Sequence, residues 1–368
     1  MKLLFSSLAL AGAVYGKIIY AGINESGGEF GAQNIPGTLG VDYSFINKAT
    51  VDVFVDQEQI NIFRVTFLME RMAPPVTGLG STFNETYFDA YADAINYITV
   101  TKGAYALLDP HNYMRYNDPS AQPFSGSVIG NSSDPTAATT EQFKEFWTEL
   151  ANRFVDNPKV IFGINNEPHD MPTSLVLANN QAAIDGIRST GAQQLILAPG
   201  NSWTGGHSWT QGDDPSSALL FQLVDPLNNT GIDVHEYLDE DFSGSHAECT
   251  QPGPENLADI TAWLQEHNLK AVLSEFGGGN NDGCRQMVDE LLSYLDVNDV
   301  WIGWTAWAAG PFWGQFSPCC GADTGSLEPG ATNDLGQPNA FETVWTPSMK
   351  PHIIPGDLKR DGVSSLEN

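Results

Sequence analysis

The chain is poor in positive charge. Of its 368 residues only 16 are Lys or Arg, against 45 Asp or Glu, and the formal net charge is −29. A surplus of that size repels phosphate backbones, which excludes nucleic acid as a partner and disfavours polyanionic substrates while tolerating a neutral polymer. Long apolar runs are also missing, except at the start. "MKLLFSSLALAGAVYG" combines one Lys, an apolar core and small residues, and reads as a secretory signal over 1–16 with Val14 and Gly16 at the −3 and −1 positions. Its apolar core is too short to span a bilayer. The competing reading, a buried N-terminal helix, would need a polar face that the run does not have. No later segment is apolar enough to cross a membrane. The expectation is a secreted, extracellular monomer with no membrane partner.

Cysteine is scarce as well. Cys249, Cys284, Cys319 and Cys320 are the only four, and in an exported chain they allow three pairings between which sequence does not choose. A bond between the adjacent Cys319 and Cys320 would close a strained eight-membered ring. Sequons stand at Asn24, Asn84, Asn131 and Asn228, in keeping with export. There is no internal repeat, low-complexity linker or H-E-x-x-H motif. Hydrophobic residues make up 41 % of the chain, enough for a sizeable core. One domain is expected over 17–345, followed by a tail, 346–368, in which periodicity fades.

What is present is an alternation. Eight short apolar runs, "IIYAGI" (18–23), "INIFRVTFL" (60–68), "GAYALLDPHN" (103–112), "VIFGINNEP" (160–168), "LILAPGNSW" (195–203), "IDVHEYL" (232–238), "KAVLSEFGG" (270–278) and "WIGWTAWAAG" (301–310), are separated by helical patterns. In "TEQFKEFWTELANRFVDNP", Phe143, Phe146, Trp147, Leu150 and Phe154 fall on one helical face, Thr139 and Gln142 can form a capping box, and Pro158 marks the exit. Tyr91, Ile95 and Ile98 make a similar stripe before Gly103. Eight strands alternating with helices predict a single-domain α/β fold, a (β/α)8 TIM barrel. The rival, an open doubly wound sheet, would show a glycine-rich phosphate turn after its first strand, and "GINESGGEFG" has neither the G-x-G-x-x-G spacing nor a helical stripe behind it.

In such a barrel chemistry gathers at the C-terminal strand ends. Those ends carry Asp109, His111 and Asn112, then Asn166 and Glu167, Asn201 and Trp203, His235 and Tyr237, Glu275, and Trp307, with Arg64 inside the second run. Glu167 closes the fourth run and Glu275 the seventh, and closure would face them across one cleft. Two facing carboxyls, one protonated and one ionised, suit glycoside hydrolysis. Arg64 can keep Glu275 ionised, Tyr237 can donate to it, and Glu167 beside an apolar strand would hold its proton. The plain alternative is a buried ion pair with Arg64 and no chemistry. His111 and His235 can be structural or, with Asp109 and a glutamate, zinc ligands. Trp304, Trp307, Phe312 and Trp313 are core filling or a sugar platform.

"INNEP" and "VLSEFGG" resemble the acid/base and nucleophile motifs of glycoside hydrolase family 5. The likeness extends through "LDPHNY", "VHEYLDEDFSGSHAEC" and "WAAGPFWG" in the family's order, over roughly 18–330, and is greatest to its fungal secreted endo-β-1,4-glucanases (cellulases). The resemblance implies Glu167 as acid/base, Glu275 as nucleophile, and Arg64, His111, Asn166, His235, Tyr237 and Trp307 as binding or supporting residues. Asn166 would bind the 2-hydroxyl and Trp307 would stack beneath that sugar. It further implies retention of configuration, no cofactor or metal, a β-glucan partner, and a Cys249–Cys284 disulfide. Asn24 lies in the first strand-end loop, where the family places cleft residues, which leaves Asn84, Asn131 and Asn228 as glycosylation candidates. "GQFSPCCGADTG" resembles an insertion, and the chain after 330 does not follow the family's last helix. Cleft loops would decide between cellulose and mannan, xyloglucan or β-1,3-glucan. A non-catalytic glucan-binding barrel is the reading from another class. The roles alone predict a mildly acidic pH optimum.

Overall fold

The computed structural model describes residues 18–117, 126–313, 325–332 and 339–353. The expected signal at 1–16 and the Cys319–Cys320 pair lie outside the described residues. All eight apolar runs form strands: β1 (Tyr20–Glu25), β2 (Ile62–Phe67), β3 (Tyr105–Pro110), β4 (Val160–Gly163), β5 (Ile196–Pro199), β6 (Thr230–His235), β7 (Ala271–Glu275) and β8 (Trp301–Ala309). Each pairs in parallel with its neighbours, and β8 pairs with β1 to close the barrel. A separate two-residue ladder joins Arg115–Tyr116 to Ser127–Val128.

The strands are apolar on both faces because both faces are buried. Outward residues such as Phe63, Val65 and Phe67 pack under the helices. Inward residues Ile62, Leu107, Ile161, Leu197, Val272 and Ile302 form a small core of their own inside the barrel. The helix Thr140–Phe154 buries Phe143, Phe146, Trp147, Leu150 and Phe154, and the Thr139–Gln142 capping box closes its start reciprocally. Asn84 caps the helix Glu85–Asn96, which buries Tyr87, Tyr91 and Ile95. Among the described residues no helix is long and apolar enough to cross a membrane.

Two expectations need correction. The first strand does not stop at Ile23 but runs to Glu25, carrying two polar residues into the interior. Asn24 is therefore a strand residue rather than a loop residue. The tail does not become irregular at 346. Residues Phe341–Met349 are helical and Lys350–His352 continue as a 3-10 turn. Pro347 and Pro351 obscure that helix in the sequence, but burial of Val344, Trp345 and Met349 outweighs their poor propensity. Trp345 packs edge-on to Trp304, and His352 bonds Asp296, so this segment covers β8 as the last helical layer. Residues 354–368 lie outside the described residues.

Removing the Thr139 hydroxyl strands an N–H at the start of the amphipathic helix Thr140–Phe154. Thr139→Ala is expected to lower unfolding free energy by about 1 kcal/mol, measured as a shift in urea midpoint at unchanged slope.

Candidate active site

One buried cation organises the barrel mouth. Arg64 rises from the middle of β2, where its guanidinium is 1 % exposed. Its Nη1 lies 2.5 Å from Glu275 Oε1 and donates to Asn24 Oδ1 at 2.9 Å. Its Nη2 lies 3.0 Å from Asp109 Oδ2 and donates to Asn166 Oδ1 at 2.7 Å. Four strands are thus tied to one side chain. Burial works against the guanidinium's charge, but Asp109 and Glu275 outweigh it and raise the Arg64 pKa.

Glu275 ends β7 and is fixed from both sides. The Tyr237 hydroxyl donates to its Oε2 at 2.8 Å, opposite the arginine. Glu167 stands four residues past the end of β4, with a backbone φ of 41° in the left-handed region. A β-carbon makes that conformation costly, and such residues concentrate at functional sites. Its carboxyl bonds His235 Nδ1 at 2.7 Å, and the same nitrogen is 3.5 Å from Glu275 Oε2. An oxygen of each glutamate and a nitrogen of His235 all lie within 4.8 Å of one another.

The two carboxyls have different partners. Burial raises the Glu167 pKa to about 7, against the pull of His111, Arg64 and His169. Burial also lowers His235 from its ordinary value. The proton at their contact therefore belongs to Glu167 below neutrality, while Glu275 lies against a guanidinium.

His111 is pulled in two directions. Burial disfavours an imidazolium there, but the Asp109 charge outweighs it and raises the His111 pKa to about 9. Its Nδ1 meets Asp109 Oδ2 at 2.8 Å and its Nε2 meets Asn166 Nδ2 at 3.2 Å. Because Arg64 holds the Asn166 oxygen, the amide must present N–H to Nε2. In the neutral ring Nε2 therefore accepts and the proton sits on Nδ1, facing Asp109, so the Asn166 contact opposes the imidazolium that Asp109 favours. The ring stacks on Trp307 at 5.3 Å with a 21° interplanar angle. All eight residues expected at the centre, Arg64, His111, Asn166, Glu167, His235, Tyr237, Glu275 and Trp307, are joined in this one network.

The sequence marks Asn24 only as an unused sequon and does not mark Glu70. Asn24 is fully buried and donates to the carbonyls of Ser274, Thr305 and Ala306, which removes its amide from any glycan. An Asn inside "YAGINE" was the available signal. Glu70 is buried, accepts from Asn112 Nδ2 at 2.7 Å, and is pushed up to about 7 by burial. Trp203 stands four residues past the end of β5. It is 50 % exposed, at φ 57°, and stacks on His169 at 4.6 Å. Asn84 and Asn131 are half-buried and Asn228 is exposed, all outside this network. Cys249 and Cys284 are joined by a disulfide.

Of the three donor triads among the described residues compact enough to consider for a metal, two lie in this network, Asp109–His111–Glu275 and Glu167–His235–Glu275. In the first, Arg64 already fills the space between the carboxylates, so a cation would have to displace a buried guanidinium. In the second, the one nitrogen facing both acids is engaged by Glu167. Neither set matches the open three-ligand arrangement of a catalytic zinc site.

Residues 23–310 match the family described as cellulase (glycosyl hydrolase family 5). The chain belongs to glycoside hydrolase family 5. It is 62 % identical to Endoglucanase 1 of Robillarda sp., with 100 % of this chain and 98 % of that protein covered. It is 43 % identical to endo-beta-1,4-glucanase A of Emericella nidulans, over 86 % of this chain and 91 % of that one. Among solved structures, XacCel5A in complex with cellopentaose superposes with a TM-score of 0.79 at 32 % identity, covering 91 % and 99 % of the two chains. Cel5A (EG2) of Hypocrea jecorina gives a TM-score of 0.75 at 28 % identity, over 90 % and 98 %. Family membership and the closed barrel thus rest on independent observations.

Two glutamates in this protein, Glu167 and Glu70, are expected to titrate near pH 7 rather than in the ordinary carboxyl range. Carbon-13 NMR of glutamate-labelled protein should show two such curves, one lost in Glu167→Gln and the other in Glu70→Gln. Titration of both below pH 5 would contradict the desolvation argument.

Proposed function

We propose that the protein is a retaining endo-β-1,4-glucanase, hydrolysing internal bonds of cellulose and related β-glucans by double displacement. Glu167 protonates the departing glycosidic oxygen while the Glu275 carboxylate attacks the anomeric carbon. The glycosyl–enzyme ester then breaks as Glu167, now ionised, takes a proton from water. The observation that carries this reading is the short separation of two carboxyls with opposite surroundings. An inverting pair stands about 6.5–9.5 Å apart to admit water between acid and base, whereas here an oxygen of each carboxyl lies within 4.8 Å of the other.

The surroundings support the division of roles. Arg64 and Tyr237 occupy lone pairs of Glu275 and leave it ionised and fixed in direction. The second amide hydrogen of Asn166 is available to a sugar 2-hydroxyl beside Glu167, and the Trp307 face can carry the same ring. Trp203, backed by His169, offers another face for a neighbouring sugar, as an extended polymer requires. A glucan is the substrate class. The fungal relatives carry the endoglucanase name, and the bound oligosaccharide of XacCel5A is cellopentaose. A secreted, monomeric enzyme with glycans on Asn84, Asn131 or Asn228 fits the same reading.

Glu167→Gln and Glu275→Gln are each expected to lower kcat on carboxymethylcellulose by at least about 10²–10⁴-fold with the fold intact by circular dichroism. Only Glu167→Ala should keep its glycosylation step on an aryl cellobioside whose leaving group needs no proton. Proton NMR of cello-oligosaccharide hydrolysis should show the β-anomer first. Initial release of the α-anomer, or more than a few per cent activity in both Gln variants, would sink the assignment. Faster turnover of mannan or xyloglucan would move the substrate but not the mechanism.

Above pH 7 the acid is progressively ionised, so kcat/KM should fall about tenfold per pH unit on that limb, with its midpoint near the Glu167 value. A flat profile from pH 6 to 9 would exclude Glu167 as the general acid.

A further inference from the structure

Among the described residues, Glu25 is the only buried carboxyl with neither oxygen receiving a hydrogen bond. It closes β1 between Val65 of β2 and Ala309 of β8 and is 0 % exposed. Strand alternation separates it from Asn24. Asn24 turns into the barrel mouth toward Arg64, and Glu25 turns outward beneath the layer that covers β8. A buried polar group without a partner calls for an explanation.

Glu328 supplies it. This second carboxyl, also buried, accepts the Gly310 N–H at 3.1 Å and the Asn47 amide at 3.3 Å. Burial raises both acids, and the charge of Glu328 raises Glu25 further. No Lys, Arg or His among the described residues forms an ion pair with either. We propose that Glu25 is held as the neutral acid, its O–H donated to the Glu328 carboxylate, and that this shared proton positions the β1–β8 rim behind Trp307.

The placement of the proton follows from the donors. Glu328 is surrounded by two N–H groups, the environment of an anion. Glu25 has none, the environment of a neutral acid that must give its proton away. The link joins segments that support the sugar platform. Leu327 N–H donates to Ala308 O at 2.9 Å and Ser26 N–H to Ala309 O at 2.8 Å, so the residues just after Trp307 are held from both sides. Gly310 passes so close to β1 that a Cβ would meet Ser26 O at 2.1 Å. Ionising Glu25 would set two anions against each other across this contact. Glu25 and Glu328 are positioning residues; neither touches the reacting atoms.

The sign of the pH effect follows. A carboxyl whose folded pKa is raised contributes stability that is complete below its unfolded value and is lost as pH rises through the folded one. Glu167 and Glu70 act in the same direction, so Glu25 accounts for one share of the alkaline loss.

The test compares full-length E25Q and E328Q by melting temperature from pH 4.5 to 9 and by kcat/KM on a soluble β-glucan across the same range. A glutamine at 25 keeps the donated hydrogen bond without a titrating proton. E25Q should retain at least half the wild-type kcat/KM at pH 5, lose less melting temperature on going to pH 9, and keep a wider alkaline limb in KM. A glutamine at 328 turns an N–H toward existing donors. E328Q should melt lower at every pH and raise KM several-fold with kcat less affected. If E328Q does not fold, the E25Q slope decides alone. Equal effects of the two substitutions, the reverse order, or a wild-type slope in E25Q would overturn the proposal. The melting arm needs no substrate, so its outcome is independent of the activity assigned above.

Discussion

Arg64 is the constraint on which the site depends. A guanidinium with no access to water must be surrounded by oxygen, and four strands supply it through Asn24, Asp109, Asn166 and Glu275. Removing one partner of a buried ion pair typically costs about 3–5 kcal/mol because the other charge is left uncompensated. Here two carboxylates would be stranded together. The barrel closes around a cation whose ligands then have little freedom, and that rigidity fixes both the direction of Glu275 and the orientation of Asn166. Through Asn166 the same cation dictates the tautomer of His111, which rests against Trp307. One charge in the middle of β2 orders most of what a sugar would touch.

The two glutamates differ because that charge is not shared equally. Glu275 lies directly against Arg64, whereas Glu167 meets only the neutral His235 and the cleft wall, so burial dominates and its proton stays. The asymmetry is reinforced by backbone geometry. Glu167, Tyr113, Met114 and the run Ser202–Trp203–Thr204 all carry positive φ. They lie just beyond β3, β4 and β5, where chains must turn sharply to point side chains across the mouth. Such conformations persist only where the surrounding structure over-determines them. The barrel wall and the Arg64 network provide that surrounding.

The barrel was legible because each strand is buried on two faces and so appears as a short apolar run between helical stripes, as "VIFGI" does before Asn165. Polar residues interrupting those runs at one end located the site, and the spacing of Glu167 and Glu275 by three strands made them face. The same rule misread β1. Asn24 and Glu25 looked like the start of a loop because polar residues usually are, yet Asn24 is satisfied by carbonyls such as that of Ser274, hundreds of residues away in sequence, and Glu25 is buried in the strand beside Ala309. The terminal helix was hidden for a related reason. Pro347 and Pro351 argue locally against helix, and only the packing of Trp345 against Trp304 argues for it. Local pattern reveals what neighbours in sequence decide. Glu70 and Glu25, whose states depend on tertiary burial, were out of its reach.

On the proposed roles the Arg64 network serves one sugar ring, so reach along a chain would come from outside it. Trp203 is well placed for that role. His169 covers one of its faces at an interplanar angle of 9° and leaves half of the residue exposed at the edge of the mouth. That exposed part is free to stack on the face of a sugar. A flat, uncharged aromatic face discriminates little between hydroxyl patterns, whereas Asn166 beside Glu167 can discriminate at the reacting ring. On the proposed roles recognition is divided: hydrogen bonds would select the sugar undergoing cleavage, and stacking would hold the rest of a neutral polymer that a chain of net charge −29 neither attracts nor repels.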